Sequence, residues 1–237
     1  MGNQPTSHWD QDQVLKKSVF PADLQQRLAA AGIVAVVVID REEDAIPLAE
    51  TFVQAGLSAV ELTLRTPAAL GAIRLIRQQF PTLIVGAGTV LRPAQVQQVQ
   101  AAGAAFAVAP GFNRRVVRAA EATGLPFAPG VCTPSEIEQA LERGCRLLKF
   151  FPAQPLGGLS YLTTLAAPYQ HLGVQFMPLG GVSQANAAEY LANPLVAAVG
   201  GSWLATRQQI AEKNWQFIGE QARLAIQSVQ AVRGRHD

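Results

Sequence analysis

The fold class this sequence predicts is a single α/β domain, a (β/α)8 TIM barrel with an N-terminal helix ahead of it, and three observations predict it. Eight short apolar runs, rich in β-branched residues, each precede an Ala-, Leu- and Gln-rich stretch of helical character. The runs are apolar almost throughout instead of alternating, as in a parallel sheet covered on its faces. A chain of 237 residues, 49% hydrophobic and 15% charged, supplies one large core and fills one barrel. An open doubly wound sheet fits the same spacing, but no G-x-G-x-x-G follows the first run.

In chain order, residues 1–20 are polar and without a clear period, and read as a tail. The barrel domain then spans 21–237 and opens on a helix over 21–31. Strands are expected at 33–39, 59–64, 83–87, 105–109, 126–128, 146–151, 174–177 and 197–200, each ending near Gly, Thr or Pro. Helices are expected between them at 42–55, 68–79, 94–102, 114–123, 135–143, 159–168 and 184–193, followed by a long run to about 232. Thr133-Pro134-Ser135-Glu136 reads as a capping box with proline in the first turn. No linker or second domain interrupts the pattern.

Composition excludes several classes. A net charge of +2 with scattered arginines gives no footprint for nucleic acid. No stretch approaches the roughly 20 apolar residues that cross a bilayer, so no membrane is expected. Nor does an apolar core follow the early charges as in a secretion signal. Met1-Gly2-Asn3-Gln4-Pro5-Thr6 matches the loose N-myristoylation pattern, a match too short to carry an assignment. Two cysteines, Cys132 and Cys145, make no disulfide scaffold and read as free thiols in a reducing cytoplasm. No Cys or His spacing suits zinc, so neither metal nor cofactor is expected.

In a barrel, chemistry sits at the C-terminal ends of the strands. Lys149, in Leu-Leu-Lys-Phe-Phe-Pro, is the one lysine inside a strand; Lys16, Lys17 and Lys213 fall in the terminal segments. Among leucines and phenylalanines a cation is costly to bury, and the neutral amine this favours is a nucleophile toward ketones. A lysine that snorkels to water, or pairs with a carboxylate, fits the position equally well. In Val60-Glu61-Leu62-Thr63-Leu64-Arg65 the period of two puts Glu61, Thr63 and Arg65 on one face, toward the lumen. Glu61 there suits general acid/base work and Arg65 suits a carboxylate; a Glu61–Arg65 ion pair that only positions strands is the alternative. Gly180-Gly181 and Gly200-Gly201-Ser202 end the last two strands, where such barrels bind phosphate, unless they serve only as tight turns. Thr89, after Gly86-Ala87-Gly88, either donates its hydroxyl to the carboxylate on Arg65 or caps the next helix. The histidines are His8, His171 and His236, two in terminal segments and one at the wrong end of a strand, so histidine-based catalysis is not expected.

In order along the chain stand Glu61-Leu62-Thr63-Leu64-Arg65-Thr66, Gly86-Ala87-Gly88-Thr89-Val90-Leu91, Pro110-Gly111, Lys149-Phe150-Phe151-Pro152-Ala153, Gly180-Gly181-Val182 and Gly200-Gly201-Ser202-Trp203. Together they resemble the class I KDPG/KHG aldolases over residues 28–228. The resemblance implies a homotrimeric barrel and a cofactor-free lyase. Lys149 would form a Schiff base with the C2 carbonyl of 2-keto-3-deoxy-6-phosphogluconate, and Glu61 would move protons through a water. Arg65 and Thr89 would bind the pyruvate carboxylate, and Gly180, Gly181, Gly201 and Ser202 the phosphate. The products would be pyruvate and D-glyceraldehyde 3-phosphate; 4-hydroxy-2-oxoglutarate would give pyruvate and glyoxylate.

Two positions depart from the pattern. Leu179 replaces a common Thr, which removes a hydroxyl from the substrate's own hydroxyls; Gln154 replaces a frequent Glu. Phosphogalactonate aldolases also carry an apolar residue at the first position, but lack the Leu-Arg-Thr of the second strand. A phosphosugar isomerase or epimerase, with Lys149 polarising a carbonyl, and a non-catalytic phosphosugar sensor fit the same glycine loops.

Overall fold

The computed structural model describes residues 18–234. The tail expected over 1–20 therefore lies outside the described residues up to 17, as do the myristoylation match, Lys16 and Lys17. Its last residue, Phe20, is 2% exposed, with its ring centroid 6.3 Å from that of Phe106. That end of the expected tail is packed because an apolar ring meets an apolar floor.

The chain alternates strands and helices. They run α1 (Ala22–Ala31), β1 (Ile33–Val37), α2 (Ala45–Gln54), β2 (Ala59–Thr63), α3 (Ala69–Gln79), β3 (Ile84–Gly88), α4 (Pro93–Ala101), β4 (Phe106–Val108), α5 (Arg114–Thr123) and β5 (Phe127–Ala128). Then follow β6 (Gly130–Val131), α6 (Pro134–Glu142), β7 (Leu147–Phe150), α7 (Gly158–Ala166), β8 (Gln175–Pro178), α8 (Ala187–Leu191), β9 (Val199–Gly201), α9 (Arg207–Ala211) and α10 (Trp215–Arg233). None of these helices is long and apolar enough to cross a membrane.

Every strand pairing is parallel. Six strands form a sheet in the order β5-β4-β3-β2-β1-β9, curled as a half-barrel, and three form a second in the order β6-β7-β8. The expectation of one closed eight-stranded sheet is thus met only in its α/β class, parallel pairing and curl. The break falls at Pro129, between β5, which lies within the fifth expected strand, and β6, a short strand beyond its expected end. Proline has no N–H to give a ladder, yet its carbonyl still accepts the Lys149 N–H at 2.9 Å. At the other edge Phe176 bridges Val196, just ahead of β9.

Helix ends follow their local chemistry. Thr133 and Glu136 form the expected capping box with Pro134 in the first turn. Hydrogen bonds from the Cys132 and Thr133 N–H groups hold the half-buried Glu136 carboxyl below its usual range, against the opposing effect of burial. The C-terminal run expected as one helix is two. Lys213 turns left-handed (φ 55°), and Asn214 caps α10 by accepting the Phe217 N–H. The helix expected at 184–193 shortens to the five residues of α8.

Side chains pack in two layers. Outward residues such as Val37, Val60, Leu62 and Val85 meet Leu48, Phe52, Ile73 and Ile76 of the helices. Inward residues Val34, Ala59, Ile84, Val108 and Leu147 close over Phe20, Leu24 and Leu28. This inner floor seals the N-terminal ends of the strands and leaves the opposite ends open.

Candidate active site

The parity read from strand two holds in β2. Ala59, Glu61 and Thr63 point inward while Val60 and Leu62 join the outer layer. Glu61 is 0% exposed and Lys149, on β7 between Gly130 and Met177, is 5% exposed. Across the lumen Lys149 Nζ stands 3.5 Å from Glu61 Oε1. That is a long contact, weaker than a well-formed charged hydrogen bond. The second oxygen, Glu61 Oε2, is buried with no protein partner. Lys149 Nζ also lies 5.5 Å from the centroid of the Phe151 ring. The site thus sets an amine, walled by an aromatic ring, beside a carboxylate with one oxygen unused, the pairing that imine chemistry on a ketone calls for.

A cavity of about 130 Å³ opens above the pair. Glu61, Thr63, Arg65, Lys149, Leu179 and Ser202 line it, with Val36, Val38, Phe151, Gly180 and Gly200. Arg65 is exposed at the mouth and makes no ion pair with Glu61. The purely structural pairing of those two residues therefore gives way to a guanidinium on the cavity lining that makes no ion pair among the described residues. Leu179 is 4% exposed and presents an apolar surface to it.

Three residues named from sequence stand off this lining. Thr89 follows β3 in a left-handed conformation (φ 60°), and Arg92 occupies the N-cap position of α4 in its place. A β-branched residue there costs about 1–3 kcal/mol of backbone strain. Gly181 turns its α-carbon toward Gln154, where a Cβ would come within 2.5 Å of the Gln154 Cβ. Gly201 faces the Trp203 ring, and Gly200 turns inward in its place. Side chains alternate along a strand, so consecutive glycines cannot share a face.

Two glycines make room for neighbours, a role that the motifs containing them did not reveal. A Cβ on Gly88 would lie 1.9 Å from Glu61 Oε1, so the missing side chain is what admits the carboxylate. A Cβ on Gly200 would lie 2.4 Å from Leu179 Cγ. The spacing Gly86-x-Gly88 on one inward face was the available signal. Gly180, with φ 89°, belongs to the lining through its backbone.

Two larger hollows, of about 480 and 560 Å³, lie at the opposite ends of the strands around Gln175, Asn193 and Pro194. In the second the Arg233 guanidinium is spent on the carbonyls of Ala29, Val196 and Ala197. Both cysteines are free; burial pushes the Cys145 thiol up to about 12 and raises that of Cys132. Among the described residues no three of His, Cys, Asp and Glu converge as a metal site would require.

Known proteins resemble this chain in sequence and in fold. The model of the KDPG and KHG aldolase family matches residues 24–221. The 2-dehydro-3-deoxy-phosphogluconate aldolase of Treponema pallidum is 44% identical over 204 residues, covering 86% of this chain and 96% of its own. The KHG/KDPG aldolase of Escherichia coli is 40% identical over 84% of this chain and 93% of its own. A crystal structure of the KDPG aldolase of Legionella pneumophila, with pyruvate captured as a covalent carbinolamine, superimposes with a TM-score of 0.80. It is 40% identical and covers 85% of this chain and 97% of its own. With that agreement over most of its length, the chain belongs to the KDPG and KHG aldolase family.

Proposed function

We propose that this protein is a class I aldolase. It cleaves 2-keto-3-deoxy-6-phosphogluconate to pyruvate and D-glyceraldehyde 3-phosphate, and 4-hydroxy-2-oxoglutarate to pyruvate and glyoxylate. The buried Lys149–Glu61 contact carries the reading. Lys149 Nζ attacks the C2 carbonyl, and the carbinolamine loses water to give an imine. The C4 hydroxyl then gives up its proton, the C3–C4 bond breaks, the aldehyde departs and the electron pair passes to an enamine. Protonation at C3 and hydrolysis release pyruvate and restore the amine. Glu61 relays these protons, directly or through one water, from an oxygen that nothing else occupies.

Arg65 binds the substrate carboxylate at the mouth, with the Thr89 hydroxyl beside it. Gly180, Gly181, Gly201 and Ser202 hold the phosphate through backbone and hydroxyl groups, joined by Gly200 on the lining. The imine itself is the electron sink, so the scheme calls on no cofactor.

Residues 21–237 form one domain in this reading, and its two sheets belong to a single closed barrel. Supporting closure, residues 127–131 run from one sheet into the other through Pro129, and Phe176 bridges Val196. Family membership supports a homotrimer, and two unpaired thiols suit the cytoplasm.

A second substrate, the phosphogalactonate epimer, is favoured by Leu179, which offers no hydrogen bond to the hydroxyls above it. A retro-aldol assay coupled to pyruvate detection, run on the three substrates, decides. The highest kcat/KM is expected for phosphogluconate, and a faster phosphogalactonate reaction would move the assignment to it. Release of pyruvate from none of them would refute the reading.

A further inference from the structure

Beyond the strand ends, three residues past Val37 of β1 and five past Ser202, stands an ion pair that the mechanism does not use. In β1 and the residues after it, Val37 and Ile39 are buried in the outer layer. Val36 and Val38 line the cavity, and Asp40 continues that same alternation into solvent. Four acids crowd this turn. Arg41 takes the carboxylates of Asp44 and Glu43, and Glu42 lies against Gly71 of α3. Asp40 alone keeps the parity of the lumen side. Its carboxylate is gripped by both forks of Arg207, Nε at 2.7 Å and Nη2 at 2.6 Å. Arg207 is the first residue of α9, directly behind the Thr206 cap and shortly after the Ser202 loop. The contact therefore joins the turn after β1 to the start of α9, five residues after the Ser202 proposed to hold phosphate.

We propose that Arg207 is a positioning residue for the phosphate end of the site. It neutralises Asp40 and ties it toward α9, so that no free carboxylate at the mouth opposes the incoming dianion. This rests on the aldolase reading above. An exposed pair of this kind contributes little to folding, but a negative charge beside an anion site acts on binding over about a Debye length. The bidentate fork explains why the cation is an arginine.

The effect falls on KM and depends on the phosphate. At low ionic strength Arg207→Gln raises KM for 2-keto-3-deoxy-6-phosphogluconate about threefold, the effect of one or two unit charges across the mouth in water. KM for the same sugar acid without phosphate, which carries only the carboxylate charge, rises by a smaller factor. Near 1 M salt, where the screening length is about 3 Å, the difference vanishes. The double variant Asp40→Asn/Arg207→Gln returns KM to the wild-type value, because the charge that needed neutralising is gone. An unchanged KM in Arg207→Gln at low salt overturns the proposal. A double variant as impaired as the single one does so too, since it marks a merely structural tie. Competition by inorganic phosphate, followed by calorimetry on wild type and variants, reads the same effect without turnover. If wild type cleaves neither sugar acid, the aldolase reading fails, and weaker phosphate binding by Arg207→Gln still decides this inference separately.

Discussion

At the N-terminal ends of the strands, Val34, Ala59, Ile84 and Leu147 close over Phe20, Leu24 and Leu28 in a dry apolar floor. Two residues further along the same strands, Ala59 has become Glu61 and Leu147 has become Lys149. They face each other 3.5 Å apart with one carboxylate oxygen left without a partner. The floor has every contact satisfied and no chemistry. The wall above it tolerates a long ion pair, an orphaned acceptor and a left-handed Thr89. One strand thus serves both ends, and the same alternation that buries Ala59 aims Glu61 into the lumen. Stability belongs to the floor and reactivity to the wall, and variants at each end separate the two.

The largest separation is expected at Lys149. Lys149→Arg keeps a cation and the fold but cannot form an imine, so kcat falls by about 10⁴-fold or more in the pyruvate-release assay. Activity that survives would restore the isomerase alternative. Glu61→Gln keeps the shape and loses the proton relay, lowering kcat by about 10²–10⁴-fold with little change in melting temperature. At the other end Phe20→Ala removes a ring from the floor. It costs about 3–5 kcal/mol in denaturant unfolding while kcat of the folded enzyme holds. Replacing the pair itself, Glu61→Leu with Lys149→Met, gives an inactive protein more stable than wild type by about 1–4 kcal/mol. Loss of stability in that double variant would break the contrast between floor and wall. The smallest effect is at Thr89. Thr89→Gly relieves a left-handed backbone and gains about 1 kcal/mol, while KM for the substrate rises as the hydroxyl leaves the mouth.

Much of this was legible in the sequence because both features obey short periods. The near-continuous apolar runs mark parallel strands, and the alternation around Glu61 fixes which residues face inward. Lys149 stands out because a strand interior rarely holds a cation. What escaped depends on neighbours distant in the chain. Gly88 makes room for a carboxylate 27 positions earlier, and Phe20 finds Phe106 across the floor. The change of sheet at Pro129 and the division of the last helix at Lys213 reflect single-residue backbone effects that an averaged pattern passes over. Among the glycines, counting motifs favoured Gly201, whereas strand parity selects Gly200. Arg207 gave no signal at all, since its partner Asp40 lies 167 residues away.

The central claim is a covalent one and has a direct measurement. Folded protein incubated with pyruvate and borohydride, then digested and weighed, should carry the mass of one reduced pyruvate on the peptide containing Lys149. No such adduct on that peptide, with the protein shown to be folded, would contradict the account.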